Sequence, residues 1–413
     1  MARALLFAPI LCLLGCIHGA DDELAAARAS ALAPPPALTS TWAPDAALHL
    51  SPELTDRLVK IGVARNRSLG EPFEIDSGVA RATITPALVV DRVKLAATDR
   101  CEGCLAVNGL LSGTIAWESK LLNGSSPVEI AFGLDVAVAA NVMDGSIVIT
   151  STPHELRSLV VRTGSNKNKL PDYLQQRITE KLKERMDAMA EPVEINRIQA
   201  PHVRAARVIP SAGGVGIALR TDAPSPTPLP SLSPKLTGGW QVDMSEASVV
   251  AMAAREAFQA GPVAGGLIVE PKRLDVGRER FTLTIRVWKV EGTTLWRDYQ
   301  VQGALKVSDD GVQLAAEALQ ALGTSDGAAV LAPLASLAES LVFDQVRDSL
   351  QLAVPKTGEA RSTGLQSTVR LTQILGGQPG VLAVHGDLDV VERARPTGRV
   401  TGARPPAPLR IQR

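Results

Sequence analysis

Cys101 and Cys104, two thiols separated by Glu102 and Gly103, are the side chains whose type and spacing could most directly do chemistry in this chain. Such a pair can serve as a redox dithiol, as half of a zinc site, or as a small loop disulfide. Zinc needs two more thiolates or imidazoles at suitable spacing, yet the histidines at 49, 154, 202 and 385 are scattered singly. A redox dithiol wants to open a helix beside a βαβ unit, whereas Leu105, Val107, Gly109 and Leu111 continue as an alternating strand. The reading is therefore a structural disulfide, of the sort that persists in extracytoplasmic compartments.

Other candidates fail on spacing. His154-Glu155-Leu156-Arg157-Ser158 starts like a zinc-protease helix, but Ser158 stands where the second histidine must be. Asp309-Asp310 precedes Gly311 and suits a turn better than acid–base work. No Gly-x-Ser-x-Gly elbow or phosphate loop occurs, and the glycines at 213, 214 and 216 lack the spacing of a dinucleotide turn. The sequence points away from an enzyme, with no cofactor and no metal.

Composition narrows the partners. The 43 basic and 43 acidic residues cancel, so no global field draws the chain to nucleic acid. Apolar residues reach 45% with only 3% aromatic, which implies cores of Val, Leu, Ile and Ala and few platforms for stacking bases.

At the N-terminus, Arg3 precedes an apolar run from Ala4 to Leu14 that is too short to span a ~30 Å hydrocarbon core and reads as the apolar part of a signal peptide. It closes on Leu13-Leu14-Gly15-Cys16, which resembles the lipobox of bacterial lipoproteins. That resemblance implies a signal peptide at 1–15, an acylated Cys16 as membrane anchor, and a place in the cell envelope, at the outer membrane facing the periplasm. Ordinary secretion with cleavage near Gly19 or Ala20 is the alternative.

Downstream, the chain from Ala25 to Pro44 is rich in Ala, Ser and Pro, and 16–45 reads as a flexible tether. A first module is expected over 46–222 and a second over 237–391. The linker between them, 223–236, has prolines at 224, 226, 228, 230 and 234. A basic tail at 392–413 closes the chain.

The two modules show similar element order. Ser51-Pro52 opens a helix carrying Leu54, Leu58 and Ile61, and Ser245 caps another with Val249, Met252, Ala253 and Ala257 on one face. Val128, Ile130, Phe132, Leu134, Val136 and Val138 alternate with Glu129, Ala131, Gly133, Asp135 and Ala137 as a long strand, and Phe281, Leu283, Ile285 and Val287 repeat the pattern. Leu174, Ile178, Leu182, Met186 and Met189 form an amphipathic stripe, matched less regularly by Leu334 to Leu350. Extended returns follow, with Gly213-Gly214 answering Gly376-Gly377.

With this order the chain resembles the tubular lipid-binding superfamily (bactericidal/permeability-increasing protein-like), over roughly Leu48 to Val390. The resemblance implies an α+β fold of two tandem modules, each a long twisted antiparallel sheet wrapped around a long amphipathic helix. It also implies a lipid or other hydrophobic ligand as partner, in a groove lined by Val128, Ile130, Phe132, Leu134, Val136, Val138, Leu174, Ile178, Leu182 and Met186. The competing reading of those residues is a filled core, and with it a ligand-free envelope scaffold that binds proteins through its sheet edges.

Overall fold

The structure, a computed structural model, describes residues 7–57, 72–76, 81–98, 100–101, 103–119, 123–163, 172–188, 192–211, 214–232, 236, 238–263, 265–308, 311–324, 351–352, 357–360 and 365–392. The expected stripe at Leu334 to Leu350 and the tail beyond Glu392 lie outside these residues, as do Leu58, Ile61 and Asp309-Asp310.

The alternating run at 128–138 sits within a strand of 21 residues, β5 (Asn123–Met143). At about 3.4 Å per residue it reaches on the order of 70 Å, well beyond an ordinary strand. Its neighbours are also long: β3 (Arg81–Ala97), β4 (Cys104–Ser119) and β6 (Ser146–Thr163). With β2 (Phe73–Asp76) and β7 (Val193–Gln199) they form an antiparallel meander in sequence order. Asp144 and Gly145, with φ of 49° and 68°, make the two-residue turn from β5 to β6. Two successive positive φ values match the right-handed twist of a hairpin, which an Asp-Gly pair supplies at low cost.

The second half builds another sheet from β11 (Leu267–Val276), β12 (Arg280–Lys289), β13 (Leu295–Ser308), β14 (Gly311–Thr324) and β15 (Gln351–Leu352). Phe281, Leu283, Ile285 and Val287 all point into its core, as their spacing predicts.

Between these lies a sheet that both halves share. It contains β1 (Ala46–Leu50), β8 (Val203–Ser211), β9 (Gly214–Thr221), β10 (Trp240–Ser245), β16 (Thr357–Ala360), β17 (Leu365–Gln378) and β18 (Val381–Glu392). Their order is β16-β17-β18-β10-β1-β9-β8. The β1–β10 pairing, with Leu48 opposite Val242, joins the halves by backbone hydrogen bonds across the Pro-rich stretch. That stretch is not a free spacer: Ala223 is buried, the Thr227 N–H donates to Ser248 Oγ at 3.0 Å, and the Leu229 N–H donates to the Pro44 carbonyl at 2.9 Å. Prolines forbid strand and helix, yet their neighbours still supply donors to the surrounding walls.

Besides the helical turn at 52–57, three longer helices among the described residues attach to the sheets. The first, α1 (Phe7–Ala31), corrects the expected tether at 16–45, because residues 16–31 are helical. Ala20 and Ala31 are buried, and Leu24 and Ala27 pack on a cluster of Ala254, Phe258, Ile268 and Trp288. The alanine-rich stretch that lacked a period has the highest helix propensity available, and Pro34-Pro35-Pro36 ends it without dissolving it. The second helix is α2 (Asp172–Ala188), where the stripe through Ile178 places it.

The third is α3 (Glu246–Ala260), capped by the expected Ser245, whose Oγ accepts from the Ser248 N–H. Its buried residues are Glu246, Ser248, Ala254 and Phe258, and the expected face of Val249, Met252, Ala253 and Ala257 is only part-buried. Phe258 is the largest apolar group of the helix and seats against Trp288, which rotates the helix toward it. Ser51 also caps as expected, accepting from the Leu54 N–H at 3.1 Å.

Candidate functional site: an aliphatic interior and two polar knots

α2 lies beside the far end of β6. Strand β7 pairs with β6 only from Ser146 to Ser151, and beyond that Gln175 Nε2 donates to the Val161 carbonyl at 2.6 Å. A strand edge that would otherwise lack a partner is thereby covered by a helix. Ile178 is fully buried among Ile84, Leu111, Ile115, Val128, Ile130 and Val161, with Phe132 part-buried at the margin. The sequence stripe and the alternating strand do meet here.

They do not meet along their whole length. Val138 joins a different cluster, with Ala46, Ala140, Ile147, Ile149 and Ile217, between the first sheet and the shared one. Leu134 and Val136 are part-buried and belong to neither cluster. The side chains of Leu174, Leu182, Met186 and Cys16 lie outside the described residues, although all four positions are helical. Of the ten positions expected to line one groove, Val128, Ile130, Phe132 and Ile178 share one interior and Val138 belongs to another.

The division has a local cause. The β5–β6 register shifts between Gly133 and Leu134 and again between Asp135 and Val136, so both faces of β5 are covered there. Asp135, on the face expected to be outward, has no exposure and forms ion pairs with Arg157 Nε at 2.9 Å and Arg100 Nη1 at 3.3 Å. Arg100 also reaches Glu155 at 3.4 Å.

Cys101 and Cys104 stand at disulfide distance, with Cα atoms 5.1 Å apart. The loop they close carries Gly103 at φ 70°, where a Cβ would meet the Val138 carbonyl oxygen at 2.7 Å. The loop therefore sits directly on β5, and its preceding residue, Arg100, is delivered to Asp135. His154 is exposed on β6, so the resemblance to a zinc-protease helix ends there.

A second polar knot crosses the shared sheet. The register puts Gly216, His49, Gln241, His385 and Gln373 opposite one another on β9, β1, β10, β18 and β17. His49, Gln241 and His385 are all buried. Gly216 leaves room for the ring, since a Cβ there would stand 3.3 Å from His49 Nδ1. His49 Nε2 is 3.6 Å from Asp243 Oδ2, and Gln241 Nε2 donates to Asp243 Oδ1 at 2.6 Å. Burial pushes the His49 imidazole down to about 4 and lowers His385 as well. Burial raises the Asp243 carboxyl, against the lowering effect of the Gln241 hydrogen bond.

Among the described residues, both ring nitrogens of His49 and the Gln241 Oε1 find no hydrogen-bond partner. In the sequence these histidines stand alone because most of their neighbours come from strands 144 to 192 residues away. Among the described residues no group of three or more His, Cys, Asp or Glu side chains is placed to hold a metal ion. None of the described helices is long and apolar enough to cross a membrane.

No family model matches the chain, and no curated protein matches it. Among solved structures, a lipopolysaccharide binding protein is similar over 84% of this chain and 99% of its own, at 12% identity and a TM-score of 0.39. P47 of Clostridium botulinum E1 is similar over 85% of this chain and 100% of its own, at 8% identity and a TM-score of 0.37.

Proposed function

We propose that the protein binds a hydrophobic ligand, an acyl chain of a lipid, between α2 and the sheet β2–β7, by enclosure rather than catalysis. The observation that carries this reading is Ile178, fully buried on an aliphatic sheet face while its helix covers the open edge of β6. Among the described residues one side-chain hydrogen bond, from Gln175, ties α2 to that edge, and in this reading the helix shifts to admit a chain. A buried acyl chain gains about 0.8 kcal/mol per methylene, enough to drive even partial insertion. In this reading the two halves are tandem helix-wrapped modules whose inner strands have merged into the shared sheet.

The same reading places the protein in the cell envelope, anchored through Cys16, with Gly15-Cys16 and the apolar run before it as support. Because 16–31 continue as helix α1 and dock on the second half, the anchor is held close to the body.

Mass spectrometry of lipid extracted from the purified chain tests the ligand. Wild type carries lipid, and Ile178→Trp fills the space and loses it while remaining folded. If wild type carries none and Ile178→Trp costs about 1 to 3 kcal/mol as an overpacked core does, the interior is filled and the scaffold reading replaces this one. Cys16→Ser releases the chain from membranes, and unchanged fractionation with no fatty acid on the N-terminal peptide rejects the anchor.

A further inference from the structure

Along one flank of α3, Ala247, Val250, Ala251 and Ala254 follow helical spacing. Their short side chains leave an open cleft of about 820 Å³ between α3, β11, the Pro-rich stretch and the end of α1. That is the size of a small-molecule site, typically ~300 to 1,000 Å³. Pro224, Pro228 and Pro271 stiffen its walls, and Ala27 and Ala31 close one end. Among the described residues no aromatic ring lines it, which favours a flexible aliphatic body over a stacked ring.

The charges in the cleft do not cancel. Lys272 Nζ pairs with Glu270 at 3.1 Å and Arg273 Nε with Asp275 at 2.9 Å, which leaves Glu246 with no ion pair among the described residues. Glu246 is 6% exposed, and its Oε1 accepts the Val276 N–H at 2.9 Å. Its Oε2 accepts no hydrogen bond from a described residue. A ligand bearing an anion would face this excess of acid, whereas an ammonium group would complete it.

We infer that this cleft is a second binding site, for an alkyl chain with a primary-amine head, with Glu246 as the counter-ion and α1 as one wall. It does not depend on the aliphatic interior beside α2. Calorimetric titration of the purified full chain with dodecylamine, and separately with dodecanoate, both below micelle-forming concentration, tests it. Dodecylamine binds one per chain and about tenfold or more tighter than dodecanoate, as a charge-assisted hydrogen bond requires.

Glu246→Gln, which keeps an acceptor for Val276, removes that preference. Ala251→Trp fills the cleft and abolishes binding, and Ile178→Trp leaves it intact. Equal binding of the two probes, binding that survives Ala251→Trp in a folded protein, or no binding to wild type overturns the inference. Loss on Ile178→Trp alone assigns the ligand to the other interior and also overturns it.

Discussion

The two outer sheets differ in what holds them. In the first half the buried interior around Ile178 is mostly branched aliphatic, with Phe73 the one buried ring among the described residues and Trp117 and Phe132 part-buried at its margin. In the second half Phe281 and Tyr299 fill the sheet core, and Phe258 and Trp288 fill the cluster under α1 and α3. Those aromatics also carry directional bonds. Trp288 Nε1 donates to buried Glu270 at 2.8 Å, and the Arg286 guanidinium lies 3.7 Å from the Trp296 ring centroid while Asp298 takes its Nε and Nη2 at 2.7 and 3.0 Å. Glu23 of α1 joins the same guanidinium at 3.2 Å.

The first half places its strongest polar anchor, Asp135, at the bulge in β5, outside the α2 interior. An aliphatic core without directional bonds can repack around a guest at modest cost, and an aromatic core pinned by hydrogen bonds cannot. On the proposed function, the first half is the one that would enclose a chain, while the second holds α1 rigidly.

The largest effect is expected from the rigid side. Trp288→Ala costs about 3 to 5 kcal/mol, because it empties a fully buried site and removes the donor to Glu270. Denaturant titration measures it, and a loss below about 1 kcal/mol would remove the distinction between the halves.

Next comes the sheet that joins them. His49 has a native pKa of about 4 against an unfolded value of 6.5, so the unfolded chain binds its proton first as pH falls. Its contribution is complete above 6.5 and is lost on the way down to 4, on the order of 3 kcal/mol in all. Lowered His385 acts in the same direction. Raised Asp243 acts oppositely, taking up its proton in the native state first and offsetting part of the loss at the acid end. His49→Gln should flatten stability between pH 6.5 and 4, and an unchanged pH profile would show that the row is not a seam under acid strain.

Asp135→Asn sharpens the first half's side of the comparison. Breaking a fully buried pair costs about 3 to 5 kcal/mol, but Arg100 is half exposed and screened, so about 2 kcal/mol is expected. Lipid content should not change, since Asp135 lies outside the α2 interior; lipid loss in a stable Asp135→Asn protein would join the two regions functionally.

The smallest effect is expected from Cys101→Ser with Cys104→Ser, about 2 kcal/mol or less, because the loop it opens is short. Alkylation of native, unreduced protein should label neither thiol. Two free thiols, or bound zinc, would reject a structural disulfide.

The sequence by itself determined local matters. Period-two and period-3.6 patterns placed β5, β12 and α2, and Ser51 and Ser245 were legible as caps because a cap depends on residues within one turn. The face of β5 was legible only as far as Phe132, since a bulge is set by the partner strand β6 and leaves no mark in β5's own alternation. Helix α1 escaped because alanines carry propensity without a period, and its docking face exists only once Trp288 and Phe258 are assembled.

The site features decided by tertiary structure alone are those made by distant strands. His49, Gln241 and His385 become a row through the β1–β10 and β10–β18 registers, and Arg100 and Arg157 become Asp135's partners through strands β4 to β6. The cleft at Glu246 needs α1, the Pro-rich stretch, α3 and β11 together, and a cavity is the space that packing leaves unfilled, which residue order alone does not specify.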